Sequence, residues 1–530
     1  MKTGKRAFLA GVFWLTLSSV LVKIAGLLFK IPMNYVVGDT GMGYYGSAYS
    51  VYTFLYMLST SGLPVALSVM VSERRSRGER QSARRAYRTA LALFVFLGLC
   101  GSAVMLFCAR PLAGLIKSDD SALAIAVSSP TMLFICVSSA LRGYFQGCGN
   151  MIPTAVSQLI EAVGKLVFGV GAAMYAVRAG YAIHVVAAYA VSGLTLGSLC
   201  GMIYLAAAKL IRGERDLMSD ACPCVDKTAG IKETLSTLII KSLPVTVSAS
   251  VMSLSSVIDT ALIQRMLRSS GVSPEGAAAL YGNYTSLAVP MFNLPPVLVY
   301  PIAYSIVPVV AALFAAGERE KAADRIANAM RYAVLIGLPC SLGLTVLADP
   351  ILSLIYKAES AHVASPLLTV LAPSSFFVCV LAVTNSVLQA CGHERAPVIS
   401  MLCGAAVKCA AGVLLLKRFG IMGAPISTFA CYLTVTVINF AFVVKYTHIR
   451  LPLARTFLKP LFAGVLCSCT AVLVYRLAER YMSGAAACVM AILCAAAVYA
   501  AVIIVSGAVG REEINGIIKI KHKGTLKNET

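Results

Sequence analysis

The sequence predicts an all-α integral membrane protein with about fourteen transmembrane helices, arranged as two six-helix lobes in parallel repeat plus two C-terminal helices. Of its 530 residues, 58% are hydrophobic and 13% are charged, and the mean hydropathy is +0.81. Soluble domains are only about 45–50% apolar. The apolar runs are long and continuous, which indicates helices rather than the short alternating strands of a membrane barrel. An internal repeat, described below, divides these helices into lobes.

The predicted spans are apolar runs of about 20 residues, the length that crosses a hydrocarbon core of about 30 Å. The first span follows Lys2, Lys5 and Arg6, as a signal peptide would, but it is long and contains Lys23 and Lys30, so we expect it to be retained. The predicted spans are 7–36, 45–71, 88–109, 122–145, 153–177, 182–208, 234–264, 278–314, 332–348, 363–390, 397–416, 421–444, 457–477 and 484–507.

The net charge of +22 is unevenly distributed along the chain. The loop at 72–88 holds seven arginines, whereas the loop at 36–43 holds no Lys or Arg. Basic residues concentrate in cytoplasmic loops of membrane proteins, so both termini are predicted to be cytoplasmic. We therefore expect contact with anionic membrane lipids and no binding of nucleic acid, because no basic patch lies in a soluble domain.

The residues that support catalysis or metal binding are scattered. Two C-x-C pairs, at 222/224 and 467/469, have no second pair and no His at ligand spacing. The five His are dispersed, and no nucleophile and base or phosphate-binding loop stands out. The sequence therefore predicts no metal site, no cofactor and no catalytic residue, and the protein is not expected to be an enzyme.

The two halves of the chain share a weak internal repeat. Tyr45-Gly46-Ser47 has a counterpart in Tyr281-Gly282-Asn283, 236 residues later. At offsets of 243 to 244 there is a further set of matches: Gln146, Pro153, Ser157 and Lys165 with Gln389, Pro397, Ser400 and Lys408. Each copy contains six spans, an even number, which predicts parallel lobes with a substrate route between them near the midplane.

The predicted domains follow from this repeat. They are an N-lobe at 1–208, a charged cytoplasmic linker at 209–233, a C-lobe at 234–445, two further helices at 446–510 and a basic cytoplasmic tail at 511–530.

The stretch LRGYFQGCGNMIPTAVSQLIEAVGK, residues 141–165, places polar residues in an apolar span. GCGN reads as a tight cytoplasmic turn, and Pro153 suits the first turn of the fifth helix. Gln158, Glu161 and Lys165 then form one polar stripe, with Lys165 about 18 Å beyond Pro153. Glu161 and Lys165 either form an i,i+4 ion pair or line a cavity, and the two roles are compatible.

Further ionisable residues lie in the first and seventh spans. Lys23 is the foremost cavity candidate because its neighbours are apolar, and Asp259 occupies the equivalent position 236 residues later. Lys30 and Lys241 are also candidates, although both could extend to the headgroups from near helix ends.

Prolines cluster in VPMFNLPPVLVYPIAYSIVP, residues 289–308, which also contains the candidate Asn293. Such breaks are tolerated where the backbone lines a cavity or where a helix bends. The matching part of the second span, SGLPVALS, keeps one Pro and one Gly, so a break is expected in both lobes.

The stretch at 141–165, together with YGSAYSVYTFLYMLSTSGLPVALSVMVSERR, resembles the stage V sporulation protein B group of bacterial polysaccharide exporters. These are lipid-linked oligosaccharide flippases, similar to the lipid II flippase, within the multidrug/oligosaccharidyl-lipid/polysaccharide (MOP) superfamily. The resemblance implies alternating access for an undecaprenyl-pyrophosphate-linked saccharide in the bacterial plasma membrane. It also implies a cationic cavity, to which Lys23, Lys165 and Lys408 are the candidate contributors. We expect a monomer, with cell-wall synthesis proteins as candidate partners.

Two alternatives remain open at this point. A Na⁺- or H⁺-coupled drug or metabolite antiporter of the same superfamily would need a membrane-embedded carboxylate, for which Glu161 and Asp259 are the candidates. A membrane glycosyltransferase or ligase that consumes the same lipid would need large outer loops with a catalytic acid, and the outer loops here are short.

Overall fold

The computed structural model describes residues 2–212, 230–447, 449, 452 and 454–507, and every regular element among them is a helix. The predicted all-α class is therefore confirmed. The predicted basic tail at 511–530 and most of the predicted linker lie outside the described residues. The α-helices are α1 (Lys2–Thr60), α2 (Leu63–Ser76), α3 (Arg80–Phe107), α4 (Ala109–Leu115), α5 (Ala122–Val127), α6 (Ser129–Gly147), α7 (Ile152–Arg178), α8 (Ile183–Arg212), α9 (Ile231–Ser269), α10 (Pro274–Gly282), α11 (Val289–Phe292), α12 (Leu294–Ala315), α13 (Arg319–Val346), α14 (Ala348–Ile355), α15 (Ala358–Leu371), α16 (Pro373–Ala390), α17 (Arg395–Phe419), α18 (Gly423–Thr447), α19 (Lys459–Ala478) and α20 (Gly484–Val505).

Ten of the described helical stretches are long and apolar enough to cross a membrane, or eleven if the bent pair 119–127 and 129–147 counts as one span. Two of the ten, Val20–Ser76 and Arg395–Thr447, are 57 and 53 residues long. At 1.5 Å per residue, each is more than twice as long as a hydrocarbon core of about 30 Å is thick. Each therefore has room for two crossings. The predicted number of fourteen is compatible with these lengths and stays a prediction.

The first two predicted spans are joined by a kink instead of a loop. Helix α1 continues through the segment that was expected to connect them, and only Gly38 leaves the helical conformation, with φ 71° and ψ 179°. Glycine adopts positive φ without the steric cost that a Cβ imposes. One glycine is therefore enough to redirect the chain between the two predicted spans. The loop that the sequence predicts there is not needed.

Helix breaks occur at both places where proline and glycine predicted them. In the first repeat, α1 ends at Thr60 and α2 begins after Gly62, with Pro64 in its first turn. In the second repeat, the helix is interrupted at Asn293, and α12 begins with Pro295 in its first turn. Proline lacks a backbone N–H, so it is tolerated in a first turn, where that group has no helical partner.

The contacts within the described chain define two compact units. The first unit comprises Met1–Leu287 with Cys409–Ala424, and the second comprises Ala288–Lys408 with Pro425–Thr530. Helices α9 and α10, which the repeat assigns to the second lobe, thus belong to the first compact unit. The predicted lobe boundaries at 209–233 stay a prediction.

Within the first unit, α7 and α8 approach each other through glycines. A Cβ added to Gly193 would lie 2.3 Å from the Cα of Gly169, and one added to Gly197 would lie 2.6 Å from the backbone oxygen of Glu161. Small residues permit this close approach of backbones in a membrane, where helices associate through packing. The approach holds Glu161 and Lys165 on α7 at a defined distance from α8.

Within the second unit, the two C-terminal helices pack against the rest of their unit. The hydroxyl of Tyr499 on α20 donates a hydrogen bond to the backbone oxygen of Leu335 on α13, at 2.8 Å. Lys459 at the start of α19 donates from Nζ to the backbone oxygen of Ser506, at 2.6 Å. The first bond ties α20 to α13, and the second ties the start of α19 to the residue that follows α20.

Candidate functional site

The predicted turn between the fourth and fifth spans is present. Helix α6 ends at Gly147, Gly149 has φ 80°, and α7 begins at Ile152 with Pro153 in its first turn. Lys165 is thirteen residues from either end of α7, which places it at the middle of the helix. The polar stripe on α7 therefore begins at the turn and continues to mid-helix.

A buried group of polar side chains joins α6, α7 and α8; we call Arg142, Ser157, Glu161 and Ser198 the first polar cluster. Arg142 on α6 donates from Nη2 to the Glu161 carboxylate at 2.8 Å and from Nε to the Ser157 hydroxyl at 3.0 Å. Ser198 on α8 donates to the other carboxylate oxygen at 3.4 Å. Arg142 is 8% exposed, so this ion pair lies in a low-dielectric surrounding. Both oxygens of Glu161 are thus occupied.

Lys165, one helical turn after Glu161, contacts aromatic rings of α1. Its Nζ lies 4.7 Å from the ring centre of Tyr49, 4.8 Å from that of Phe29 and 5.6 Å from that of Tyr45. A cation is attracted to the negative face of an aromatic ring. Among the described residues, Lys165 forms no ion pair with Glu161 or any other carboxylate. The i,i+4 ion pair that the sequence left open is replaced by the pair between Glu161 and Arg142.

Lys30 on α1 also points to a partner without a negative charge. Its Nζ donates to the backbone oxygen of Thr285 at 2.7 Å. Thr285 lies in the π-helix Asn283–Ala288 that follows α10. Wide π-turns are frequent at functional sites. Lys30 forms no ion pair within the described part of the chain, and it lies within electrostatic range of Lys165.

Near these lysines, Tyr45 provides a polar atom without a partner. Tyr45 is 3% exposed, and its hydroxyl has no hydrogen-bond partner among the described residues. Buried polar groups are normally hydrogen-bonded. The ring of Tyr45 also stacks on that of Tyr49, with 6.0 Å between centres. A polar ligand at the lysines would satisfy this hydroxyl.

The acidic residue of α1 is held by amides. Asn34 donates to one carboxylate oxygen of Asp39 at 2.9 Å, and Asn283 donates to the other at 3.2 Å. Because its two oxygens accept these bonds, the Asp39 carboxylate is held in place by neutral amides.

Three other candidates from the sequence lie in the same unit. Gln158 is part-buried on α7, and its Oε1 is a buried atom without a partner in the described portion. Lys23 is an exposed residue on α1. Asp259 is part-buried on α9, next to Thr260, whose hydroxyl bonds that of Tyr281 at 2.7 Å. The structure brings Lys30 and Lys165 within electrostatic range of each other; a common site that also includes Lys23 and Asp259 stays a prediction.

The remaining candidates have different surroundings. Lys241 on α9 forms an exposed ion pair with Glu73 on α2, at 3.2 Å. Asn293, at the break before α12, donates from its side chain to the backbone oxygen of Val289 at 2.8 Å. Lys408 is part-buried on α17. Lys241 and Asn293 thus have local structural partners that account for their positions.

The second unit contains a counterpart of the first polar cluster; we call Asn385, Ser400 and Asn439 the second polar cluster. These residues lie on α16, α17 and α18. Asn439 donates from Nδ2 to Oδ1 of Asn385 and accepts a bond from the Ser400 hydroxyl at its own Oδ1. Asn385 and Ser400 are each 243 residues after members of the first polar cluster, Arg142 and Ser157. In both repeats, therefore, hydrogen bonds between polar side chains join three helices. The first polar cluster contains charged groups, whereas the second contains amides.

Sequence reasoning did not single out Arg142, Tyr45 or Tyr49 as site residues. Arg142 lies within residues 141–165, but its role depends on a contact between helices. Comparison of the two repeats could have singled it out, because the copies differ there as Arg and Asn. Tyr45 and Tyr49, four residues apart, share one face of α1 and could have been recognised as an aromatic stripe.

The described residues contain no group of three or more His, Cys, Asp or Glu side chains that could hold a metal ion. What the arrangement does offer is two ammonium groups, aromatic faces and a buried hydroxyl within the membrane-crossing helices. Such a set suits an anionic group attached to a partly apolar ligand.

Family comparison gives a consistent result over most of the chain. The sequence model of the polysaccharide biosynthesis protein family matches residues 8–314, and a second model, MatE, matches residues 244–414. Two similar proteins come from Bacillus subtilis (strain 168). Stage V sporulation protein B is 27% identical over 84% of this chain and 85% of its own length. The lipid II flippase MurJ is 23% identical over 83% of this chain and 82% of its own length.

Comparison with solved structures agrees on the fold. The lipid II flippase MurJ in an inward closed conformation superposes with a TM-score of 0.71, covering 93% of this chain and 98% of that one at 14% identity. At this identity the match establishes the fold alone.

Proposed function

Because the chain belongs to the polysaccharide biosynthesis protein family, within the flippase group of the MOP superfamily, we propose that it is an alternating-access flippase for a lipid-linked saccharide. The substrate is an undecaprenyl-pyrophosphate-linked unit, such as a lipid II-type peptidoglycan precursor. It moves from the inner to the outer leaflet of the bacterial plasma membrane.

The observation that carries this proposal is the pair Lys30 and Lys165, two cations within membrane-crossing helices that no carboxylate in the described chain neutralises. A charge in the middle of a membrane costs about 2.5–3.5 kcal/mol on insertion scales. Two neighbouring lysines at this cost are best explained by an anionic ligand that offsets both. A pyrophosphate supplies two or more negative charges in one compact group.

The aromatic side chains around Lys165 suit the remainder of such a substrate. Tyrosine combines an apolar ring face with a hydroxyl, and it therefore accommodates groups that are polar on one side and apolar on another. The buried hydroxyl of Tyr45 would donate to the ligand. The prenyl chain, being apolar, can remain in the lipid.

The membrane potential favours the proposed direction. Moving one elementary charge across 100 mV is worth about 2.3 kcal/mol. A negatively charged headgroup leaving a negative interior gains this energy for each charge. Outward flipping would therefore proceed without a coupled ion.

The wider arrangement is part of the proposal. We also propose Lys23 and Lys408 as cationic contacts for the substrate, with cytoplasmic termini and lobes at 1–208 and 234–445. Lys408 corresponds to Lys165 in the repeat, at an offset of 243.

A cation-coupled antiporter is the second candidate, favoured by the MatE match and by Asp259, a part-buried carboxylate on α9. Glu161 is unsuited to bind the coupling ion because Arg142 already neutralises it. This alternative therefore depends on Asp259.

The test is transfer of fluorescent lipid II between leaflets of liposomes that contain the purified protein. We expect transfer by the wild type and its loss in Lys30→Ala and Lys165→Ala. Lys321→Ala, which removes an exposed lysine outside the site, is the control. Absence of transfer together with cation-driven dye efflux that requires Asp259 would contradict the flippase proposal and support the antiporter.

A further inference from the structure

Glu161 and Lys165 lie four residues apart on α7, the spacing at which opposite charges on a helix attract each other. If they paired, the charge of Lys165 would be cancelled. In the structure the carboxylate instead bonds Arg142 and Ser198, and the ammonium lies against aromatic rings. We propose that Arg142 is a positioning residue that holds Glu161 away from Lys165 and so keeps Lys165 available to an anionic substrate. This inference rests on the proposed function.

Arg142 is well suited to this role. Its Nε is bound to the Ser157 hydroxyl, which orients the guanidinium plane, and its Nη2 then meets the carboxylate. The side chains of Arg142 and Glu161 are 10% and 19% exposed, so solvent screens their attraction only weakly. Without the arginine, a largely buried carboxylate would remain unpaired, which is strongly unfavourable. Lys165, on the same helix, is the cation that could then reach it.

The second repeat supports the explanation that Arg142 serves to neutralise Glu161, and not merely to hold the three helices together. At the offset of 243, Arg142 corresponds to Asn385, Glu161 to Gly404 and Lys165 to Lys408. The acid and the arginine are absent together, whereas the lysine is retained. The second polar cluster joins three helices with neutral groups alone. An ion pair is therefore not required to hold such helices together.

In both repeats the lysine thus keeps its positive charge free of a neighbouring acid on the same helix, but by different means. In the first, an acid that precedes the lysine by one turn is neutralised by an arginine. In the second, that acid is replaced by glycine, so no arginine is needed. Removal of Arg142 alone should therefore be harmful, and simultaneous removal of Glu161 should compensate for it.

The experiment uses three variants of the full-length protein in liposomes: Arg142→Asn, Glu161→Gly and the double variant, which reproduces the residues of the second repeat. Two quantities are measured: lipid II transfer, and the rate at which an amine-reactive reagent labels Lys165, followed by mass spectrometry. An ammonium held by a carboxylate reacts more slowly. The second measurement is independent of the substrate.

We expect Arg142→Asn to reduce both transfer and Lys165 labelling by about tenfold, the equivalent of 1.4 kcal/mol. The double variant should regain both to within about threefold of the wild type. Arg142→Lys, which keeps the positive charge, should retain most of the labelling. Arg331→Asn, which removes a buried arginine of α13, is the matched control and should leave Lys165 labelling unchanged.

Three results would overturn the inference. The first is that Lys165 is labelled at the wild-type rate in Arg142→Asn, and the second is that the double variant regains neither transfer nor labelling relative to a folded Arg142→Asn. The third is that Arg331→Asn loses as much labelling as Arg142→Asn. If the wild type fails to move lipid II while labelling follows the expected pattern, the proposed substrate is wrong and the positioning role of Arg142 stands. Melting temperatures of all variants identify any that fail to fold.

Discussion

Lys30 donates a hydrogen bond of 2.7 Å from its ammonium to the backbone oxygen of Thr285, a residue 255 positions later in the chain. The bond links α1 to the π-helix that follows α10, and it satisfies only one of the three donors of the ammonium. Lys30 is thus oriented by the protein, and two of the three donors of its ammonium have no partner in the described chain.

The two functions of Lys30 can be separated by substitution. Lys30→Gln keeps a donor for the Thr285 oxygen but removes the charge, whereas Lys30→Met removes both. Because a charge-assisted hydrogen bond contributes about 1.5–3 kcal/mol, we expect either variant to weaken lipid II binding by at least about tenfold. The measurement is a binding titration in detergent. Full affinity in Lys30→Gln would show that the charge is not used.

The exposed and buried ion pairs of the first unit should differ in their contribution to stability. Glu161→Gln removes one partner of a buried pair and should lower the free energy of unfolding by roughly 3–5 kcal/mol. Glu73→Gln breaks a pair whose side chains are 39% and 48% exposed and should cost less than about 1 kcal/mol. Thermal unfolding in one detergent compares the two, and equal losses would contradict the assigned burial.

Close packing of α7 on α8 predicts a strong effect of a single methyl group. Gly193→Ala places a Cβ within 2.3 Å of Gly169 and should destabilise the protein by about 1–3 kcal/mol or more, because the backbones must separate. Gly171→Ala, on α7, meets nothing within 4 Å and is the control. The fraction of monodisperse protein after heating measures the difference. Similar behaviour of the two variants would argue against the helix contact.

The second polar cluster should tolerate loss of its central amide poorly. Asn439→Leu leaves the Asn385 side chain without the amide that donates to it, which costs about 1–3 kcal/mol, whereas the Ser400 hydroxyl keeps its bond to the backbone oxygen of Pro397. Thr434→Val, also on α18, removes only a bond to the backbone oxygen of Ala430 in the same helix and should have a small effect. The measurement is the melting temperature, and an unchanged value in Asn439→Leu would contradict the network.

The sequence by itself determined the class of protein, the positions of most helices and the turn before Pro153. It also showed the internal repeat in which Ser157 corresponds to Ser400. These features depend on composition, on runs of apolar residues and on local backbone chemistry, all of which are visible in a linear sequence. The sequence also singled out Lys30, Glu161 and Lys165, because ionisable residues are conspicuous in apolar spans.

Only the tertiary structure decided which partner each of these residues has. On α7 alone, Glu161 and Lys165 are suitable partners for each other, and the sequence left that possibility open. Arg142 reaches Glu161 from another helix, and Phe29, Tyr45 and Tyr49 reach Lys165 from a third. The charge available at the site depends on these contacts between helices, and helical periodicity within one segment contains no information about them.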